Sequence, residues 1–117
     1  LALSLPWLDG TRALAGLRGE ARIERDADGT VTIDAASEAD AMRALGYVHA
    51  QERYFEMDLM RRDAAGELSA LFGARALPRD RERRVHRLRA RAQARMGAYA
   101  GDAAPVLDAY VAGANAG

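Results

Sequence analysis

The sequence predicts an α+β chain, mostly helical behind an N-terminal β-hairpin, and incomplete by itself. Three observations carry that reading. Residues 20–35 alternate apolar and polar side chains on both sides of a turn. Residues 37–117 run in helical stretches punctuated by glycine and proline. The apolar content is thin: half of the 117 residues count as hydrophobic only because 27 are Ala, and 6% are aromatic. A chain of this length forms one domain at most. The expected division is a single incomplete domain over 1–117, with the hairpin at 20–35 and the helical region at 37–117.

Residues 1–19 hold Leu, Ala and Gly without a sustained period, an irregular lead-in. The hairpin follows. Ala21, Ile23 and Arg25 alternate with Arg22 and Glu24, and Val31 and Ile33 with Thr30 and Thr32. Asp26-Ala27-Asp28-Gly29 between them supplies turn chemistry, because Asp and Gly tolerate the backbone angles of a tight turn. A lone hairpin is marginal in water, so it must pair or pack elsewhere. Ser37, with Asp40 three residues on, resembles a capping box and opens the first helix. Gly66 and Gly73 bracket one or two turns over Leu68–Phe72. Pro78 opens another helix, expected to run to about Met96 with Val85, Leu88, Ala92, Met96 and Tyr99 as a narrow apolar stripe. Gly97 to Gly101 predict a break, and Asp102 a cap for a final helix carrying Val106, Leu107, Tyr110 and Val111. The ending Ala-Gly-Ala-Asn-Ala-Gly reads as an interruption.

The helix over 38–62 is unusual. On a wheel of about 100° per residue, His49, Glu52, Arg53 and Glu56 share one arc. Apolar side chains fill nearly all the rest, as in a central helix with neighbours on several sides. This chain cannot supply them, so a larger partner is expected to cover it. Gln51, Asp58 and Arg62 fall inside the apolar arc. Asp58 and Arg62 are spaced i,i+4 and can pair. A charge facing a core is tolerated only when paired and hydrogen-bonded. The three are therefore expected to be buried polar residues. One reading has them brace the backbone, and the other has them support an active site.

Other features exclude more than they assign. There are 17 Arg, no Lys, and 17 Asp plus Glu, for a net charge of zero. That neutrality argues against nucleic acid as a partner. The run Arg79 to Arg95 surrounds its helix on several sides, as a solvated or acid-pairing surface does. Absence of Cys excludes disulfides, cysteine-ligated zinc and a cysteine nucleophile. His49 and His86 lack a second histidine at ligand spacing, so no metal site is predicted. Ser4, Ser37 and Ser69 sit in no nucleophile elbow, and no glycine-rich phosphate loop occurs. No apolar run reaches the roughly 20 residues that span a bilayer. The first residues have no basic region, so the expectation is a chain whose signal peptide has been removed.

The run Gly46-Tyr-Val-His-Ala-Gln-Glu-Arg53-Tyr-Phe-Glu-Met57-Asp-Leu-Met-Arg61-Arg62 strongly resembles the α-chain of the penicillin acylase family of N-terminal nucleophile hydrolases, whose pattern has the form GYVHAQDRLFQMDLMRR. Flanking segments agree in order. Arg25-Asp26, Gly29 and Ile33 match the family's RD-x-x-G hairpin. Ala65-Gly66 to Leu71-Phe72-Gly73 resembles its AxGxLxExxG segment, Asp80 to Arg84 its D-x-x-x-R step, and Tyr110-Val-Ala-Gly113-Ala-Asn115 its YxxGxN element. The resemblance covers about residues 8–117. Thr32 departs from the family's usual His, Glu52 from its commoner Asp, and Ala70 from its usual Glu.

The resemblance implies a precursor that cleaves itself into α and β chains. The fold implied is a four-layer αββα sandwich completed by the β-chain. The nucleophile is the β-chain's N-terminal Ser, with its own α-amino group as base. An Asn and backbone N–H groups of the β-chain form the oxyanion hole. The reaction implied is amide hydrolysis through an acyl-enzyme. It removes the acyl chain of a β-lactam antibiotic, a quorum-sensing N-acyl homoserine lactone or a lipopeptide. Partners are then the β-chain and a small acyl amide, in the periplasm or outside the cell. The resemblance requires no cofactor and leaves room for a structural calcium in the assembled enzyme, with no ligand identified in this chain. The family's acyl pocket and its calcium-binding acid lie downstream of this chain, so no catalytic, substrate-binding or metal residue is carried over. The contrasting expectation is a non-enzymatic helical interaction module. The two differ in whether the isolated chain melts cooperatively.

Overall fold

The computed structural model describes residues 7–117, and the start of the lead-in, 1–6, lies outside the described residues. Two strands, β1 (Ala21–Arg25) and β2 (Val31–Ala35), precede five α-helices: α1 (Glu38–Ala65), α2 (Ser69–Phe72), α3 (Leu77–His86), α4 (Leu88–Ala100) and α5 (Ala104–Ala114). The chain is thus mostly helical behind an antiparallel hairpin, the class the sequence predicts. It divides into two compact units, one of residues up to 52 with 102–117, the other of 53–101.

In the first unit the strands pair from Ala21 opposite Ala35 to Arg25 opposite Val31. The turn falls where Asp26–Gly29 predicts it. The Asp26 carboxylate accepts the N–H groups of Asp28 and Thr30 at 3.0 and 2.8 Å, a side chain standing in for the turn's backbone acceptor. Burial alternates strictly, with Ile23, Arg25, Val31 and Ile33 inward and Thr32 outward. Arg25 sits on the inner face because its Nε donates to Glu52 at 3.0 Å, tying the hairpin to α1.

Ser37 caps α1: its Oγ accepts the Asp40 N–H at 3.1 Å. Asp40 does not complete the capping box in the usual way. Its carboxylate accepts the Ser37 hydroxyl at 2.9 Å and the Arg18 N–H at 3.0 Å. Asp40 is 1% exposed and fastens the lead-in to the helix start. The Arg18 N–H, then the Ser37 hydroxyl, hold its carboxyl below the usual range against the opposing effect of burial. The buried apolar side chains among the described residues are Ala44, Val48, Ala50 and Ala109, all in this unit. They are small, so α1 and α5 come very close.

Two expected helices are interrupted. Within α1, Arg53 leaves the helical region at φ −145°, ψ 27°. The wheel over 42–62 therefore does not describe one straight helix, and Gln51 and Asp58 lie on opposite sides of the break. In the second unit, the helix opened by Pro78 stops at His86. Arg87 adopts the left-handed conformation (φ 50°, ψ 38°) and joins α3 to α4. The stripe from Val85 to Tyr99 is split there, and Val85, Met96 and Tyr99 are exposed. Gly97 does not break α4, which continues to Ala100. Pro105 stands in the first turn of α5, after a 3-10 turn that contains Asp102.

Arg87→Gly is expected to stabilise the protein. A left-handed non-glycine residue costs roughly 1–2 kcal/mol. Relieving that strain is partly offset, by roughly 0.4–1 kcal/mol, because glycine gives the unfolded chain more entropy, and a smaller net gain remains. A melting temperature a few degrees higher in the full-length protein is the expected readout. A lower one would mean that the guanidinium makes a contact outweighing the backbone gain.

Candidate functional site

Four of the motif segments meet in pairs. In the first unit, Gly46 of α1 and Gly113 of α5 face each other's helix. A Cβ at Gly46 would lie 2.1 Å from the Tyr110 carbonyl oxygen, and one at Gly113 would lie 1.9 Å from the Arg43 carbonyl oxygen. No side chain fits between the two backbones. The GYVH and YxxGxN segments are thus two halves of one crossing. His49 Nδ1 and the Tyr110 hydroxyl share a hydrogen bond of 3.0 Å across it. Their rings pack edge to face, with centroids 5.8 Å apart. Tyr110→Phe keeps the ring and removes the bond, so a loss of about 0.5–1.5 kcal/mol is expected by thermal melting. No change would mean that water replaces the phenol at no cost.

In the second unit the D-x-x-x-R step latches the segment before it. Asp80, 1% exposed, accepts the N–H groups of Leu68 and Ser69 at 2.9 and 2.8 Å. It thereby caps α2, whose own N-cap residue offers no side-chain bond. Arg84 Nε donates to the Gly66 carbonyl at 2.8 Å. Gly66 has φ +69°, and a Cβ there would lie 2.6 Å from the Asp80 carbonyl oxygen. Asp63 binds Arg79 and Arg83, at 2.5 and 3.3 Å. Glu67 binds Arg89 through both carboxylate oxygens. Several arginines of the basic run thus pair with acids of this unit, as an acid-pairing surface does.

The three buried polar candidates separate. Gln51 Nε2, in the first unit, donates to the Tyr47 hydroxyl at 3.1 Å and the Trp7 carbonyl at 3.2 Å. Asp58 and Arg62, in the second, pair at 2.6 Å. Arg61 binds the other carboxylate oxygen, its Nη2 at 2.5 Å. The Asp58 carboxyl is held below the usual range by Arg62 and then Arg61. The Asp58 side chain is 15% exposed and that of Arg62 25%, so this chain alone covers most of both. The i,i+4 spacing identifies Arg62, and the second guanidinium is one that sequence reasoning missed. Sequence reading singles out Asp40 and Asp80 within their motifs but not their action on the backbone N–H groups of Arg18, Leu68 and Ser69, which leave no mark in the residue pattern.

Among the described residues, these contacts position elements within each unit. Among the described residues, the one hydroxyl hydrogen-bonded to a histidine is the Tyr110 phenol. One shallow hollow of about 230 Å³, lined by Ala64, Ala65, Arg84, Arg87 and Leu88 among others, holds no hydroxyl nucleophile. No group of three or more His, Asp or Glu among the described residues could hold a metal ion. Asp58, Asp63, Glu67 and Asp80 are all taken by arginines or backbone N–H groups. No helix among the described residues is long and apolar enough to cross a membrane.

The same segments recur in known proteins. The family model described as penicillin amidase matches residues 20–117. Penicillin acylase 2 proenzyme of Pseudomonas sp. (strain SE83) is 43% identical over 119 residues, 99% of this chain and 15% of that protein. Acyl-homoserine lactone acylase QuiP of Pseudomonas putida is 38% identical over 97% of this chain and 14% of its own length. This chain thus spans about a seventh of those relatives. A thermostable penicillin G acylase from Alcaligenes faecalis superposes with a TM-score of 0.71 at 27% identity. That match covers 84% of this chain and 52% of the solved one. The paired motif segments lie inside the matched region, and the chain belongs to the penicillin amidase family.

Proposed function

We propose that this chain is the α-subunit portion of a self-processing acylase. The observation that carries the reading is the alignment of nearly the whole chain with about a seventh of a penicillin acylase proenzyme. The absence of a nucleophile–base pair among the described residues accords with it, because the reacting groups then belong to a separate β-chain. In this reading the β-chain completes a four-layer αββα sandwich, and its N-terminal Ser is the nucleophile. An α-amino group has a pKa of roughly 8, so a useful fraction is neutral near pH 7 and can take the hydroxyl proton, directly or through water. The Ser oxygen adds to the amide carbonyl, and backbone N–H groups with an Asn stabilise the oxyanion. The amine departs with the proton, and water then releases the carboxylic acid. Substrates are acyl amides: a β-lactam side chain, an N-acyl homoserine lactone or a lipopeptide. The site of action is the periplasm or the medium.

Intact-mass measurement of the native full-length product is expected to give two chains, the second beginning with Ser. Activity should appear toward at least one of phenylacetyl amide, glutaryl amide and long-chain N-acyl homoserine lactone. A single uncleaved, inactive chain would overturn the proposal.

A further inference from the structure

The first unit contains two Asp-Gly pairs, Asp9-Gly10 and Asp28-Gly29. Such a pair can rearrange with no other reactant than water. The peptide nitrogen after the Asp reaches the side-chain carboxyl carbon in a five-membered ring, and glycine, without a Cβ, leaves that nitrogen unhindered. The two pairs have different surroundings. Asp28-Gly29 lies in the hairpin turn, where the backbone is held. The Gly29 N–H donates to the Asp26 carbonyl at 3.1 Å, and the N–H groups on either side donate to the Asp26 carboxylate. Asp9-Gly10 lies in the lead-in, outside the helices and strands. Both of its residues are exposed, Gly10 has φ +97°, and its N–H donates to no other described residue. The stretch around it is tied to one turn of α1 at both ends. Gln51 Nε2 holds the Trp7 carbonyl, and Arg12 Nη1 donates to the Tyr47 hydroxyl at 2.9 Å. The Asp-Gly pair is the middle of a short loop between those two anchors.

We propose that Asp9 is a site of spontaneous modification, isomerising to isoaspartate, and that Asp28 is protected by its turn. The Gly10 nitrogen gives up its proton and bonds to Asp9 Cγ. One carboxyl oxygen leaves as water, carrying that proton and the one from the carboxyl group, and a cyclic succinimide remains. Water then adds to either ring carbonyl. Addition at Cγ restores Asp9. Addition at the main-chain carbonyl carbon breaks its bond to the Gly10 nitrogen, which regains a proton and stays attached to Cγ. The chain then runs through the side chain, its mass is unchanged, and nothing is oxidised or reduced. The product has one more carbon in the backbone between Trp7 and Arg12. Their two anchors on α1 then cannot both keep their present geometry. At Asp28 the same ring closure first has to free the Gly29 N–H from the Asp26 carbonyl. One hydrogen bond of ordinary worth slows the step about fivefold.

The test is to age the native full-length protein at neutral pH and measure isoaspartate at each pair by mass spectrometry with electron-transfer fragmentation. Isoaspartate should accumulate at residue 9 at least about fivefold faster than at residue 28. The same protein aged unfolded in guanidinium should form it at similar rates at both. Asp9→Glu, which cannot close a five-membered ring, should lose the signal at residue 9 and keep the rate at residue 28. Equal native rates, or a faster one at residue 28, would overturn the proposal. So would a native protein that forms none at residue 9 while the unfolded one does, because the surroundings would then protect that pair too. A ratio that persists in guanidinium would place the difference in the neighbouring sequence and overturn the role given to the turn.

Discussion

Gly113→Ala is expected to prevent the first unit from closing. The new Cβ would sit 1.9 Å from the Arg43 carbonyl oxygen, and Gly46→Ala would place one 2.1 Å from the Tyr110 carbonyl oxygen. Those obstacles are backbone atoms, which no rotamer change can move. The cost should therefore exceed the roughly 1–3 kcal/mol common for overpacked cores. Against a total stability of about 5–15 kcal/mol, that is a large share. Each single variant is expected to give insoluble protein, or a sharply lowered melting temperature where protein is recovered. The double variant should cost less than the sum of the two, because either methyl alone already forces the helices apart. A double-mutant cycle by thermal melting checks both statements. Two near-silent single variants would show that α1 and α5 do not cross at these glycines.

Asp80→Ala is expected to release the segment around α2. Two backbone N–H groups, those of Leu68 and Ser69, lose their acceptor at a buried position. A four-residue helix has no internal bond to spare for them. Hydrogen exchange over 66–73 should rise strongly, and the melting temperature should fall. Asp80→Asn, which retains one carbonyl acceptor, should show an intermediate effect. The pH dependence has a definite sign. Burial pushes the Asp80 carboxyl up, but the Ser69 and Leu68 hydrogen bonds outweigh it and hold the group below its ordinary 3.8. A carboxyl depressed in the folded state contributes stability above its unfolded value and loses it as pH falls through the folded one. The difference in melting temperature between wild type and Asp80→Ala should thus be full at neutral pH and shrink below about pH 3.8. A difference independent of pH would mean that the carboxylate charge plays no part in the cap.

The hairpin was legible because its signals are local: a period of two, and an Asp whose side chain builds the turn. The start of α1 at Ser37 was legible for the same reason. The breaks at Arg53 and Arg87 were not, since neither position carries the Pro or Gly that usually announces one. Packing and not propensity sets such angles, and packing partners distant in sequence cannot be read from one chain. Gly46 and Gly113 are visible as glycines inside helical patterns, a sign of close approach, yet nothing in either segment names the other. The Asp58–Arg62 pair follows from i,i+4 spacing. The roles of Asp40 and Asp80 stayed hidden because their donors are mainly backbone N–H groups, which nearly every residue possesses.

The glycine crossing also bears on how this chain can change over generations. Gly46 and Gly113 each clear a carbonyl oxygen and not a side chain. Shrinking a neighbouring residue therefore makes no room for a larger one at either place. Drift has no compensated route through the crossing, whether one position changes first or both change together. The two glycines of one crossing would then show no correlated substitutions. A contact map inferred from covariation would leave blank the place where α1 and α5 come closest.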